Sequence, residues 1–232
     1  MFERLRKHLS LGDVFLTIGL LLIAAALFWA MGNIREDRHA GAASEETLSQ
    51  LLSRTQQEQI VQNAMDAAQE DDEVFNELDI PDYLLNPDLE MPVTEIAGKK
   101  YLGFLSIPSL DLELPVSAEL NREMLRIAPC YYTGSVYSDN MVIAAHNYRR
   151  HFGLIGSMNE GDLVIFTDTE GHIFQYKVNR VEILDAYEVD RMVDSEFALT
   201  LFTCTIGGKN RVTVRCVKDE EVQTGLLPTQ QQ

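Results

Sequence analysis

A chain of 232 residues, 46% of them hydrophobic, has room for one domain of ordinary size plus appendages. Its formal net charge of −17 excludes the basic field that binding a phosphate backbone requires, so nucleic acid is not among the expected partners. Three cysteines, Cys130, Cys204 and Cys216, form neither a CxxC pair nor a zinc-type spacing, and their odd number leaves at least one thiol outside any disulfide.

Residues 1–13 carry Arg4, Arg6 and Lys7, and residues 14–32 are 19 positions without a charge that end near Trp29. A stretch of that length and composition crosses the hydrocarbon core of a bilayer as a helix. A cleaved signal peptide would have a shorter apolar run followed at once by small residues. Here Ala40, Gly41, Ala42 and Ala43 follow only after the charged Arg35, Glu36, Asp37 and Arg38. The reading is an uncleaved, single-pass anchor with residues 1–13 in the cytoplasm and the rest of the chain outside.

Residues 33–98 hold 16 acidic and 3 basic side chains, a net −13, so most of the negative charge lies outside the later, globular part. Leu48, Leu51, Leu52 and Ile60 form a patchy helical stripe, which the run Glu70-Asp71-Asp72-Glu73 breaks. This segment reads as a partly helical, solvated linker. Within it, the cluster Ile80-Pro81-Asp82-Tyr83-Leu84-Leu85-Asn86-Pro87 is apolar enough to dock on a domain.

From residue 99 to 222 the pattern becomes that of a single all-β domain, followed by a flexible tail, 223–232. Strand-like runs cover residues 101–107, 111–116, 142–146, 163–167 and 172–184, with a short helix expected over 118–127. The last pair is the clearest. Thr200-Leu201-Phe202-Thr203-Cys204 and Arg211-Val212-Thr213-Val214-Arg215-Cys216-Val217 flank a connection containing Gly207, Gly208 and Asn210, the signature of a hairpin. Many short strands without alternating helices indicate a closed β domain.

In such a hairpin Cys204 ends one strand and Arg211 starts the next. Facing side chains in an antiparallel pair have Cβ atoms about 5 Å apart, so a thiol and a guanidinium share one site. Positive charge favours the thiolate and stabilises a developing oxyanion, which suits nucleophilic acyl transfer. The candidate proton shuttle is His146, where the apolar run Met141-Val142-Ile143-Ala144-Ala145 ends in His146-Asn147. Alternation directs Val212, Val214 and Cys216 to the core and Arg211, Thr213 and Arg215 to the other face. Arg215, two pleats further along, reads as a solvated strand arginine. His8 and His39 flank the anchor, and His151 and His172, in polar surroundings, read as surface side chains. Cys130 and Cys216 read as small buried hydrophobes, with a disulfide between them left open. The acidic residues Glu182, Asp185, Glu188 and Asp190 read as a surface loop, and no metal is assigned to them.

Taken together these residues resemble the sortases, membrane-anchored cysteine transpeptidases of Gram-positive surfaces. Thr200-Leu201-Phe202-Thr203-Cys204 matches the family's TLxTC signature, and Arg211 and His146 lie where its catalytic arginine and histidine are expected, although Ala145 stands where a glycine is usual. Residues 152–162, Ile107-Pro108 and Leu114-Pro115-Val116 extend the likeness. The resemblance implies an eight-stranded barrel and a cofactor-free enzyme with Cys204 as nucleophile, His146 as general acid and base, and Arg211 stabilising the oxyanion, with Thr203 orienting substrate. It implies as partners surface proteins bearing a C-terminal LPxTG-like sorting signal and an amine acceptor from a cell-wall precursor or a pilin. Two other readings stand beside it: a non-catalytic wall-binding protein on the same barrel, and a cysteine peptidase whose thioester is resolved by water. Asn86-Pro87-Asp88 departs from the Asp-Pro-aromatic motif of lid-bearing relatives.

Overall fold

The computed structural model describes residues 11–69, 81–193 and 196–219. The basic N-terminus, the charge run 70–73 and the tail 223–232 lie outside the described residues. The chain divides into two compact units, residues 1–39 and 40–232.

In the first unit the described residues are helical and belong to α1 (Leu11–Gln69). They include a stretch long and apolar enough to cross a membrane, with none of it buried in protein. Phe15, Leu21, Phe28 and Trp29 are all exposed. A helix that is apolar all round satisfies every backbone group internally, which is what a hydrocarbon environment requires of it.

The second unit is built on nine strands: β1 (Thr94–Ile96), β2 (Lys99–Ile107), β3 (Leu112–Ser117), β4 (Cys130–Thr133), β5 (Met141–Ala145), β6 (Leu163–Asp168), β7 (Ile173–Asp185), β8 (Leu199–Cys204) and β9 (Asn210–Lys218). They pair in the order β1-β2-β3-β4-β5-β8-β9-β7-β6, and β6 pairs back onto β2, so all but β1 form a closed eight-stranded barrel. Closure removes the exposed sheet edges that an open sheet would leave. It depends on Gly103, where β2 shifts register against β3 and begins to pair with β6 as well. There φ is +151°, and a Cβ would lie 2.0 Å from the Thr167 carbonyl oxygen, so only glycine fits.

Leu105, Ile107, Val116, Ile143, Phe166, Tyr176, Leu201, Val214 and Cys216 fill the interior. Val214 and Cys216 point inward as their alternation requires, with Val212 packed against the same core. The strand runs read from sequence fall on β2, β3, β5, β6, β7, β8 and β9. Two strands were not legible: β1 has three residues, and β4 is a four-residue run between Pro129 and Gly134. The helix expected over 118–127 is a single 3-10 turn, Met124–Arg126.

The linker expected over 33–98 differs from what its composition suggested. In the second unit α1 runs on to Gln69 and buries Ala40, Ser44, Leu48, Leu51 and Thr55. These lie at steps of four, four, three and four residues, one face of a helix. Leu51 is fully enclosed with Ile96, Tyr101, Met124, Ala128 and Cys130. Arg54 Nη1 donates to the Glu95 carbonyl at 2.7 Å. A hydrophobicity count misses this face because two of its five members are Ser and Thr and a third is Ala.

The apolar cluster around Tyr83 does dock. Tyr83, in α2 (Asp82–Leu85), stacks on Tyr137 with ring centroids 4.7 Å apart and tilts against Phe174 at 5.4 Å. Ser138 Oγ donates to the Pro87 carbonyl at 2.8 Å. His172, expected at the surface, is only 32% exposed and its Nδ1 lies 2.9 Å from buried Asp168. Phe174 is the second residue of β7, while the other end of β7 pairs with Arg211 and Asn210, so this segment caps the end of the barrel away from the hairpin turn.

Candidate functional site

The hairpin is built as its sequence directs. β8 and β9 are antiparallel with Cys204 directly opposite Arg211. The connecting turn places Gly207 and Gly208 at φ +87° and +74°, left-handed values that favour glycine. Thr205 closes it, its N–H donating to the Asn210 carbonyl at 2.9 Å and its Oγ1 accepting from the Asn210 N–H at 3.1 Å. Arg211 Nη1 donates to the carbonyls of Gly208 at 3.0 Å and Asn210 at 3.2 Å. The guanidinium is thereby held at the turn beside Cys204, with Nε and Nη2 turned to neither carbonyl.

β5 runs parallel to β8, and Ala145 is the register partner of Thr203. His146 is the first residue after β5 and Cys204 the last of β8, so both follow directly on that paired position. Face follows from alternation: Met141, Ile143 and Ala145 belong to the interior with Leu199 and Leu201, whereas Val142 and Phe202 belong to a second apolar cluster on the outer face. His146 and Cys204 continue that outer face, and Arg211 lies opposite Cys204 on it. Sequence positions 146, 204 and 211 are thus brought to one end of the barrel.

Thr203, expected to orient substrate, is placed otherwise. It is 3% exposed and its Oγ1 donates to the Ala145 carbonyl at 2.8 Å, away from the outer face. Its hydroxyl ties the end of β5 to β8, which fixes the backbone immediately before His146.

After His146 the chain folds into a tight loop. The N–H of Phe152 donates to the His146 carbonyl at 3.2 Å, and the N–H groups of His151 and Gly153 both donate to the Tyr148 carbonyl. A Cβ on Gly153 would stand 2.7 Å from the carbonyl oxygens of Asn147 and Tyr148, so glycine is required by this close approach. Phe152 plugs the loop into the core at zero exposure. The His146 ring lies 4.9 Å from Tyr148, which lies 5.6 Å from His151. His151 is a correction to the surface reading: it is fully buried, with Nε2 3.2 Å from Ser44 Oγ. The burial of His151 was not legible in the sequence, because its partner Ser44 belongs to a helix a hundred positions earlier.

The outer face beside Cys204 has an apolar floor of Val142, Leu184 and Met192, rimmed by Tyr132, Val193 and Phe202. Tyr132 and Phe202 meet edge to face at 5.4 Å. Met192 and Val193 come from α3 (Val189–Val193), and Arg215 holds that helix down. Arg215 is a second correction, since it is 2% exposed rather than solvated. Its Nε donates to Glu182 at 2.9 Å, its Nη1 to the Met192 carbonyl at 3.0 Å and to Thr200 Oγ1 at 3.1 Å, and its Nη2 to the Arg191 carbonyl. Thr213 and Arg215 face outward as alternation demands; they are buried because α3 covers them.

Two of the acidic residues of this region, Glu182 and Glu188, are paired with cations of the protein. Glu182 pairs with Arg215 and Arg191, and Glu188 with Arg191 at 2.8 Å. Among the described residues no group of three or more His, Cys, Asp or Glu side chains is arranged to hold a metal ion. All three cysteines are free thiols. Burial pushes Cys130 and Cys216 up to about 12, whereas Cys204 is only half-buried.

Residues 105–219 match the family model of the sortase domain. Among solved structures the chain is similar to a Clostridium perfringens sortase D5 transpeptidase, at 21% identity over 51% of this chain and 79% of that one, with a TM-score of 0.45. It is similar also to the pilus-related sortase C of Group B Streptococcus, at 22% identity over 54% and 69% with a TM-score of 0.46. A third is sortase C from Clostridium perfringens SM101, at 22% identity over 75% and 90% with a TM-score of 0.44. No curated protein matches the chain.

Proposed function

Since this chain carries a sortase domain over residues 105–219, we propose that it is a membrane-anchored cysteine transpeptidase in which Cys204, His146 and Arg211 perform the chemistry on an LPxTG-like sorting signal. The observation that carries the reading is the double register: Cys204 opposite Arg211 across β8–β9, and Thr203 level with Ala145 across β5–β8.

The Cys204 thiolate attacks the carbonyl carbon of the Thr–Gly bond, and the electron pair moves to the carbonyl oxygen. Arg211, anchored through Nη1 to the turn carbonyls, directs its remaining donors at that oxyanion, where a preorganised charged donor gains strength over its value in water. As the carbon–nitrogen bond breaks, protonated His146 gives its proton to the leaving amine, and a Cys204 thioester remains. An acceptor amine then attacks the thioester, His146 takes the amine proton, and the thiolate leaves as the new amide forms. The half-buried Tyr132, Val193 and Phe202, packed on the apolar cluster of Val142, Leu184 and Met192, suit the leucine and proline of such a signal.

Residues 14–32 serve as the anchor, with the N-terminus cytoplasmic and the barrel outside, where surface proteins and the amine acceptors of wall precursors or pilins meet it. The test is cleavage of a fluorogenic LPxTG-type peptide with and without an added amine. Turnover that is lost in Cys204→Ala, with an amide product that appears only with the amine, supports transpeptidation. Hydrolysis unaffected by amine would make water the acceptor, and no turnover with any sorting-type peptide would sink the reading.

A further inference from the structure

We propose that Ser44 of α1 is a positioning residue for His146, acting through its hydrogen bond to the buried His151. The proposal rests on the reading of His146 as the acid and base, and it concerns what holds that residue in place.

Ser44 is 2% exposed and its hydroxyl meets two partners, the Ile127 carbonyl and His151 Nε2. A hydroxyl has one proton, and a carbonyl can only accept, so that proton goes to Ile127. Ser44 Oγ therefore accepts from His151, and the ring carries its proton on Nε2. This fixes both the tautomer and the orientation of a histidine that lies inside the loop following His146. From there the path to the reactive ring is short: His151 packs on Tyr148 at 5.6 Å, and Tyr148 on His146 at 4.9 Å. The same loop is closed by backbone bonds from Phe152 to His146 and from Gly153 to Tyr148, so a shift of His151 is transmitted to the carbonyl of His146 itself.

A second, exposed link reinforces the first. Arg150 Nη1 lies 2.7 Å from Glu45, the helical residue next to Ser44. The burial of Ala40, Leu48, Leu51 and Thr55 on the same helical face keeps Ser44 in register with the loop. These residues precede the part of the chain that matches the sortase domain, so the barrel's catalytic loop is completed by a segment outside it.

The full-length chain in detergent micelles, with Ser44→Ala, His151→Leu, His151→Gln and Arg54→Ala, tests this. Two readouts are taken: peptide cleavage kinetics, and hydrogen exchange at the amides of Phe152 and Gly153. Misplacing a reacting group by about 1 Å costs up to ~10²-fold. Ser44→Ala and His151→Leu should therefore lower kcat roughly tenfold or more with KM little changed, and speed exchange at both amides. His151→Gln should recover most of both, because its side-chain amide N–H stands near the lost ring Nε2–H. Arg54→Ala, which loosens the helix at β1 away from the loop, should leave kcat alone. Unchanged loop exchange in Ser44→Ala and His151→Leu overturns the proposal, as does a kcat loss that Arg54→Ala reproduces. If the wild type cleaves no sorting-type peptide, the enzymatic reading has failed, and the exchange arm by itself decides whether the helix holds the loop.

Discussion

Arg211 faces Cys204 across the β8–β9 pair, while Arg215, four residues on along the same strand face, is locked under α3 by Glu182, Thr200 and two backbone carbonyls. The two arginines therefore fail differently when removed. Arg211→Ala should lower kcat/KM by about 10²–10³ with little change in melting temperature, the loss typical of one oxyanion donor. Arg211→Lys should recover only part, because it lacks the planar fork of donors. Arg215→Ala leaves Glu182 without its closest cation and frees α3, so it should destabilise the fold by roughly 3 kcal/mol. Kinetics and thermal melts on the same preparations check this, and a melting loss in Arg211→Ala with none in Arg215→Ala would reverse the assignment.

The thiols separate by burial. With Cys130 and Cys216 pushed up to about 12, the thiolate fraction of each at pH 8 is on the order of 10⁻⁴, and both side chains are enclosed. The sign is that of an acid raised by desolvation: both thiols stay neutral through the working range and ionise only as pH approaches 12. A thiol-reactive sorting-signal analogue at pH 8 should modify Cys204 alone, as read by peptide mass mapping of the folded protein. An adduct on Cys130 or Cys216 under native conditions would contradict the burial that the barrel imposes.

Residues 40–55 should behave as part of the fold. Leu51 is fully enclosed among Ile96, Tyr101, Met124, Ala128 and Cys130. Leu51→Ala removes that packing and leaves a cavity, a change that costs about 2–5 kcal/mol in well-packed cores. Leu52→Ala, on the neighbouring and less buried position, should cost under ~1 kcal/mol. Chemical denaturation of the two variants compares them directly; equal stabilities would return this helix to the status of a solvated linker.

Tyr83 tests the other docked segment. Its ring stacks on Tyr137 at the end of the barrel remote from the hairpin turn. Tyr83→Ala should lower stability by about 1–2 kcal/mol through lost aromatic packing. It should leave kcat/KM for peptide cleavage unchanged. A rise in activity would show instead that this segment restrains the site, as a lid would.

The geometry of the hairpin was readable because its signals are local. Cys204 and Arg211 sit at the two mouths of one hairpin, and period-2 alternation with a Gly-Gly turn sets which positions face each other within fifteen residues of chain. The apolar run 14–32 was likewise legible, because its information is contiguous. His146 was legible as the polar end of an apolar strand; that it and Cys204 follow directly on one paired position depends on the parallel pairing of β5 with β8, which no local pattern specifies.

What only the tertiary structure decided is which polar side chains are wet. His151 follows two arginines in sequence and Arg215 lies on the outer face of its strand, yet each is buried, one by α1 and the other by α3. Whether a polar residue is solvated depends on what covers it, and the covering elements come from elsewhere in the chain: Ser44 lies 107 positions before His151. Composition misled in the same way for residues 40–55, where the acidic average of residues 33–98 concealed one buried face of Ala, Ser, Leu and Thr. A hydrogen bond or a close-packed small residue contributes to a helix face without adding to its hydrophobicity, so that face becomes visible only when the surface it fits is in place.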